Sequence, residues 1–206
     1  MNMKFYMVPG SCTTGIHIIL EHLEKLFEAY VVNIPNGENL TEEYLALNPK
    51  GTIPTLVLEN GEVLTDFVSI AYYLAASHPR EKLIPDDLIA QTKTIELMSY
   101  AVNHLHGQAF ARIFISEIFL ADNNNPETIK AQGMKMVENG LKIVNQILAN
   151  KTYKPQHFDI ADAALFYNEF WADKLNIKLP ENCQTHYDHM LSIPVVKNVL
   201  LEEGYY

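Results

Sequence analysis

The hydrophobic pattern of this chain changes period along its length, and the place of the change constrains the fold more than any single motif. Up to His78 strand and helix signals alternate; after Asp86 the strand signals do not return. Residues 4–8 read as a strand, and residues 12–25 as an amphipathic helix with Ile16, Ile19, Leu20 and Leu23 on one face. Residues 28–34, EAYVVNI, are β-branched and aromatic and read as a second strand. After the loop PNGEN, Thr41 can cap a short helix through EEYLALN. TLVLENGEVLT then reads as two strands around Asn60-Gly61, a strong local hairpin signal. The helix FVSIAYYLAASH follows and stops at Pro79. The order is β-α-β-α-β-β-α.

The remainder reads as helices only. Asp86-Asp87 starts a long one running towards Ala121, with Leu88, Ile95, Met98, Val102, Leu105 and Ala109 on one stripe. Asn125, followed by Pro126 at the first helical position, opens a helix carrying Met134, Val137, Leu141, Val144 and Leu148. Another is expected at FDIADAALFYNEFWADKL and a last one after Pro194. The chain therefore divides into an α/β domain (1–81), a linker (82–87, within the proline-flanked PREKLIPDD) and an all-α helical-bundle domain (88–206).

Charge removes several function classes. A formal net charge of −10 argues against a nucleic-acid binder, which needs a basic face, and against electrostatic attachment to an anionic membrane. The longest apolar runs fall well short of the ~20 residues of a spanning helix. The stretch MNMKFYMVPG lacks the build of a signal peptide. The 2 cysteines, Cys12 and Cys183, form neither a CxxC pair nor a disulfide framework, and a reduced, cytoplasmic setting is expected.

Cys12 stands in the Gly-Ser-Cys-Thr turn that opens the first helix. Unpaired backbone N–H groups and the positive end of the helix dipole favour a thiolate there, so a depressed pKa is expected. A small buried apolar residue is the other reading, and the local sequence leaves both open. Ile53-Pro54 stands at the entry to the third strand, where proline donates no ladder bond.

A strand, a cysteine opening the first helix and an X-Pro pair before a hairpin form the plan of a thioredoxin-like domain. Followed by an all-helical domain, the chain resembles the cytosolic glutathione S-transferases, most of all the bacterial beta class. PGSCT, NPKGTIPTL, LTDFVSIAYYLA, ELMSYAVNHLHGQAF and FDIADAALF carry the match. The resemblance implies glutathione as co-substrate, a small hydrophobic electrophile or a disulfide as second substrate, a homodimer, and no metal. Conjugation, thiol–disulfide exchange through Cys12 and peroxidase-like reduction are all open. A non-catalytic binding protein with a weakened glutathione site is the alternative.

Residue by residue, the resemblance makes Cys12 the cysteine beside the glutathione sulfur and Thr13 the hydroxyl residue after it. Ile53-Pro54 matches the cis-proline pair whose preceding residue offers its backbone to the tripeptide, as an added strand would. Asp66 stands where an acidic residue holds the glutamyl amine, and His106 matches a histidine pointing across the domain cleft at the sulfur. Phe67, Asn36, Ser99 and Asn103 complete the expected glutathione contacts. Several positions depart from the family pattern. The loop NIPNGEN lacks a lysine, leaving Asn36 or water in its place; Phe67 has bulk that can crowd the γ-glutamyl group; Ser99 replaces an asparagine and Gly107 a lysine. The electrophile site is expected among apolar residues such as Phe110, Ile113 and Phe114.

Asp159 and Asp162 are spaced as a capping box, a folding motif, and Phe166, Phe170 and Trp171 read as core. His104 and His106 face different ways on a helix, and His186 and His189 share a face without a nearby third ligand.

Overall fold

The computed structural model describes residues 2–120 and 125–205. Its sheet has four strands in the order β2-β1-β3-β4. They are β1 (Met3–Met7), β2 (Phe27–Val31), β3 (Thr55–Val57) and β4 (Val63–Leu64). β1 pairs with β2 in parallel and with β3 antiparallel, and β3 pairs with β4 antiparallel. This mixed sheet with its β-α-β and β-β-α halves is the expected thioredoxin-like arrangement.

Period-two alternation decides which helices lie on which face. Met3, Phe5 and Met7 are buried, and Phe5 meets His17 of α1 (Thr13–His22). Tyr6 points the other way and packs edge-on against Tyr44 of α2 (Glu42–Leu47), the short helix that Thr41 caps by accepting the Tyr44 N–H. α3 (Phe67–Ser77) packs beside α1 and ends before Pro79. The hairpin strands are shorter than the alternation suggests, because the turn at Leu58–Gly61 and the Leu58–Glu62 backbone bond take up their inner ends. α1 ends three residues early, and Glu24 then takes a left-handed conformation.

α4 (Leu88–Ser99) starts from Asp87, which accepts the Ala90 N–H. The chain continues without a break through Tyr100–Phe110, wound as a π-helix, and through α5 (Ala111–Phe114). Sequence periodicity does not announce this change of winding; where the π stretch closes, Ala111 N–H bonds to His106 C=O, five residues back. Met98, Leu105 and Ala109 are buried as the stripe requires. Leu88 is 70% exposed, because it lies on the outermost turn, beyond the helices that α4 packs against. The expected end of this helix near Ala121 lies outside the described residues.

α6 (Pro126–Leu148) begins at the Asn125 cap and buries Val137, Leu141, Val144 and Leu148. Every residue of α7 (Ile160–Lys174) from Ile160 to Ala172 is buried, so α7 is the axis of the helical part. α8 (Glu181–Ser192), which the sequence pattern did not announce, and α9 (Pro194–Glu202) complete the chain. α1 packs against both α7 and α9. Gly15 permits the first contact, since a Cβ there would lie 2.7 Å from the Ala163 carbonyl oxygen and 2.8 Å from the Phe67 ring. The connecting segment is pinned rather than free: Leu83 and Ile84 are buried, and Leu83 C=O accepts the Ile160 N–H. Among the described residues no helix is long and apolar enough to cross a membrane.

Candidate active site

The turn between β1 and α1 is built by its own hydroxyls. Thr13 Oγ1 donates to Val8 C=O at 2.8 Å and accepts the Val8 N–H at 3.1 Å, while Ser11 Oγ accepts the Thr13 N–H. Thr13 is fully buried, and its hydroxyl shapes the turn through its bonds to Val8. Gly10 takes φ +71° at a point where a Cβ would fall 1.9 Å from Tyr205 Oη. Residues far along the chain fasten this turn. Glu203 Oε2 accepts the Gly10 N–H at 2.8 Å and the Thr14 hydroxyl at 2.6 Å, and the Trp171 indole N–H donates to Gly10 C=O at 2.7 Å.

Cys12 occupies the cap position of α1, 5% exposed, and its thiol donates to Ile53 C=O at 3.8 Å. Burial pushes the thiol up to about 12, and the Asp66 carboxylate acts in the same direction. The Ser11 hydroxyl and the backbone N–H groups of Cys12 and Thr13 pull it down, but by less. The expected depression is therefore reversed: removing the thiolate from water costs more than the helix N-terminus returns. Cys183 is also buried and free, its thiol donating to Leu141 C=O.

Ile53 lies opposite Cys12 across a cis Ile53-Pro54 bond, the isomer implied by the resemblance. Asp66 precedes α3, is exposed, and makes no capping bond, so its carboxylate and the first-turn N–H groups of α3 are open to a ligand. The Phe67 side chain turns inward, 1% exposed, with its ring 5.5 Å from that of Tyr167. The crowding expected from its bulk does not arise.

The partner of His106 is Tyr167, its ring edge-on at 5.7 Å. The Tyr167 hydroxyl lies 3.3 Å from His106 Nδ1, and burial above all, with the Asp66 carboxylate acting in the same direction, holds the phenol protonated, well above its usual range. Burial lowers His106 from 6.5 to about 4, so the ring is neutral and supplies a hydrogen bond rather than a positive charge. His106 also packs edge-on against Trp171 at 5.0 Å. Sequence reading passed over Tyr167 within its aromatic stripe; the available signal was that a tyrosine on a fully buried helix needs a partner for its hydroxyl.

Asn36 is exposed in a tight turn where its N–H bonds to Asn33, and Asn103 donates to Ser99 one turn away on the same helix. Beside the turn opens an apolar cavity of about 540 Å³ lined by Pro9, Phe114, Trp171, Lys174 and Tyr205. Of the apolar residues expected there, only Phe114 reaches it. Phe110 is fully buried, stacked on Phe114 and edge-on to Trp171, and Ile113 packs against the core.

Residues 10–77 match the family described as the N-terminal domain of glutathione S-transferases. Over its whole length the chain is similar to the glutathione S-transferase GstA of Escherichia coli O157:H7: 35% identity over 211 residues, covering 98% of this chain and 99% of that protein. The chain belongs to the glutathione S-transferase family. Among solved structures, the transferase is similar to a bacterial beta class glutathione S-transferase from Sphingomonas chungbukensis (TM-score 0.81, 25% identity, 98% of this chain and 100% of that one). A sphingomonad glutathione S-transferase complexed with glutathione gives a TM-score of 0.80 at 25% identity, covering 98% of this chain and 100% of that one.

The other motifs of this transferase are structural. Asp159 and Asp162 form the capping box, and Asp162 also meets Lys151 and His186 Nε2. His186 Nδ1 donates to Glu169 at 2.6 Å, so both of its nitrogens are committed to carboxylates, and His189 Nε2 bonds to His157 C=O. With both nitrogens on carboxylates, His186 has none left to share a metal with His189. Trp171 is core, as expected, but also fastens the Cys12 turn.

Proposed function

We propose that this transferase binds glutathione with its γ-glutamyl ammonium on Asp66, its backbone paired to Ile53 and its sulfur beside Cys12. An apolar electrophile would seat in the cavity between Pro9, Phe114, Trp171 and Tyr205. The observation that carries this reading is the buried Cys12 thiol, which donates to Ile53 C=O beside the cis Ile53-Pro54 bond. A thiol held in that form is a donor. It can turn from Ile53 C=O to an arriving thiolate, while Tyr167 and neutral His106 supply a second polar edge. In conjugation the glutathione sulfur forms the new bond to carbon and the leaving group departs with the electron pair. Cys12 keeps its proton throughout. Thiol–disulfide exchange would need Cys12 as thiolate, which burial opposes.

Replacing Cys12 separates the two chemistries. Cys12→Ser keeps a donor and should retain conjugation within a few-fold. Cys12→Ala should lose about 10–100-fold in kcat/KM, the scale of a hydrogen bond to a charged group. A glutathione adduct on Cys12, forming at the turnover rate by intact mass, would replace conjugation with exchange. Glutathione should raise the melting temperature, as any ligand of the native state does; no shift would favour the non-catalytic alternative.

The same reading places glutathione on residues 1–81, joined through 82–87 to residues 88–206, in a cytoplasmic homodimer. Tyr72 and Tyr73 on α3 and Leu88 and Ile89 on α4, all exposed, supply apolar area for a second copy. Sedimentation should give twice the 23.4 kDa chain mass.

A further inference from the structure

His17 of α1 packs against the rings of Phe5 and Phe27 and is 5% exposed, and its ring nitrogens face acidic residues. Its Nδ1 lies 2.9 Å from Glu203 Oε1, and that carboxylate, with its side chain 1% exposed, also holds Gly10 and Thr14. In the neutral tautomer with its proton on Nδ1, towards the Glu203 carboxylate, Nε2 is a lone-pair donor. Among the described residues Nε2 makes no hydrogen bond. It faces Glu202 Oε2 at 3.4 Å and Glu21 Oε1 at 4.0 Å, and the three ligand atoms lie within 4.8 Å of one another.

We propose that His17, Glu21 and Glu202 form a site for a borderline divalent cation, typified by Zn²⁺, oriented from behind by Glu203. Three features support it. Bond lengths of about 2.0–2.2 Å to nitrogen and oxygen place tetrahedral ligand atoms roughly 3.3–3.5 Å apart. The His17–Glu202 separation already has that value, and Glu21, on the exposed rim, needs only a side-chain rotation to reach it. The carboxylate–imidazole pair behind the site is the arrangement that raises ligand basicity and locks ring orientation in protein metal centres. One imidazole with two carboxylates favours a first-row transition cation over Ca²⁺ or Mg²⁺. Glu24 and Lys25 line the same hollow, and their charges offset each other. His17 and Glu21 are one helical turn apart on α1, while Glu202 closes α9, so a bound ion would tie the two halves of the molecule together. No local spacing in the sequence announces this set, because Glu202 is remote from His17 and Glu21 in the chain.

The test is calorimetric titration of the untagged, metal-stripped full chain with Zn²⁺, repeated with Co²⁺ to read its visible absorption. One equivalent should bind, and Zn²⁺ should raise the melting temperature of the wild type. Glu21→Gln and Glu202→Gln should each weaken binding at least tenfold, and the double variant should lose both the binding and the thermal shift. Cys12→Ser should leave binding intact. These exposed carboxylates can be replaced without opening the core, so the variants should fold. Absence of saturable binding, undiminished binding in the double variant, or loss in Cys12→Ser would each overturn the proposal.

Discussion

The Tyr167 hydroxyl and His106 Nδ1 lie 3.3 Å apart, joining the axial helix of the bundle to the π-wound stretch that faces the Cys12 turn. The pairing sits where burial has removed the charge from the imidazole. An unfolded chain binds a proton at His106 below pH 6.5, whereas the folded one does so only near 4. The unfolded state thus binds more protons between those values, and stability from this group rises with pH across the window. Urea midpoints measured from pH 4.5 to 7 should climb less steeply in His106→Asn than in wild type. Equal slopes would place the charge back on His106.

His186 has the opposite sign. Asp162 and Glu169 hold it protonated, raising it from 6.5 to about 10 against the cost of burial. Its contribution is fully present below pH 6.5 and is lost as pH rises towards 10. Denaturant midpoints should therefore fall between pH 7 and 10. His186→Ala, which leaves the buried Glu169 carboxylate unpaired while Asp162 keeps Lys151, should cost about 3–5 kcal/mol at neutral pH.

Cys12 should resist alkylation. A free thiol titrates near ~8.5, whereas burial places this one near 12. Iodoacetamide at pH 8 should label Cys12 of the folded protein far more slowly than after denaturation, by peptide mass analysis. A labelling midpoint below 8.5 would contradict the buried, protonated state.

Gly15→Ala should destabilise the protein despite the ~1 kcal/mol that alanine gains over glycine inside a helix. The new methyl would press on the Ala163 carbonyl oxygen, which cannot turn away as a side chain could, and on the Phe67 ring. Overpacking of this kind costs about 1–3 kcal/mol, readable from the urea midpoint.

Asp66→Asn should lower glutathione affinity by about 10–100-fold through loss of a charge-assisted contact. The melting temperature without ligand should hardly change, because Asp66 caps nothing. A fall in ligand-free stability would instead give it a structural role.

What was legible in the sequence was mostly local. Thr41, Asp87, Asn125 and Asp159 mark helix starts correctly because a cap bonds to backbone two or three residues away. Cys12, Ile53 and Asp66 were grouped by the family resemblance, and the antiparallel pairings of β3 with β1 and β4 bring the end of β1, the start of β3 and the end of β4 to one end of the sheet. The ionisation of Cys12 and His106 was not legible, since it depends on how completely other elements cover them. Tyr167 escaped because its role comes from a hydroxyl on an otherwise apolar helix face. The Trp171 and Glu203 bonds to Gly10 span 161 and 193 positions, and no local pattern encodes such pairs.

The Glu203–Gly10 bond also sets an order of events during synthesis. At about 5–20 residues per second, the ribosome needs roughly 10–40 s to deliver Glu203 after Gly10. Until then the β1–α1 turn lacks its carboxylate clamp, and α7, which supplies Trp171 and Tyr167 over Cys12, arrives only shortly before. For that interval the turn that carries Cys12 rests on its own Ser11 and Thr13 hydroxyl bonds, and the burial that the finished protein gives the thiol has still to form.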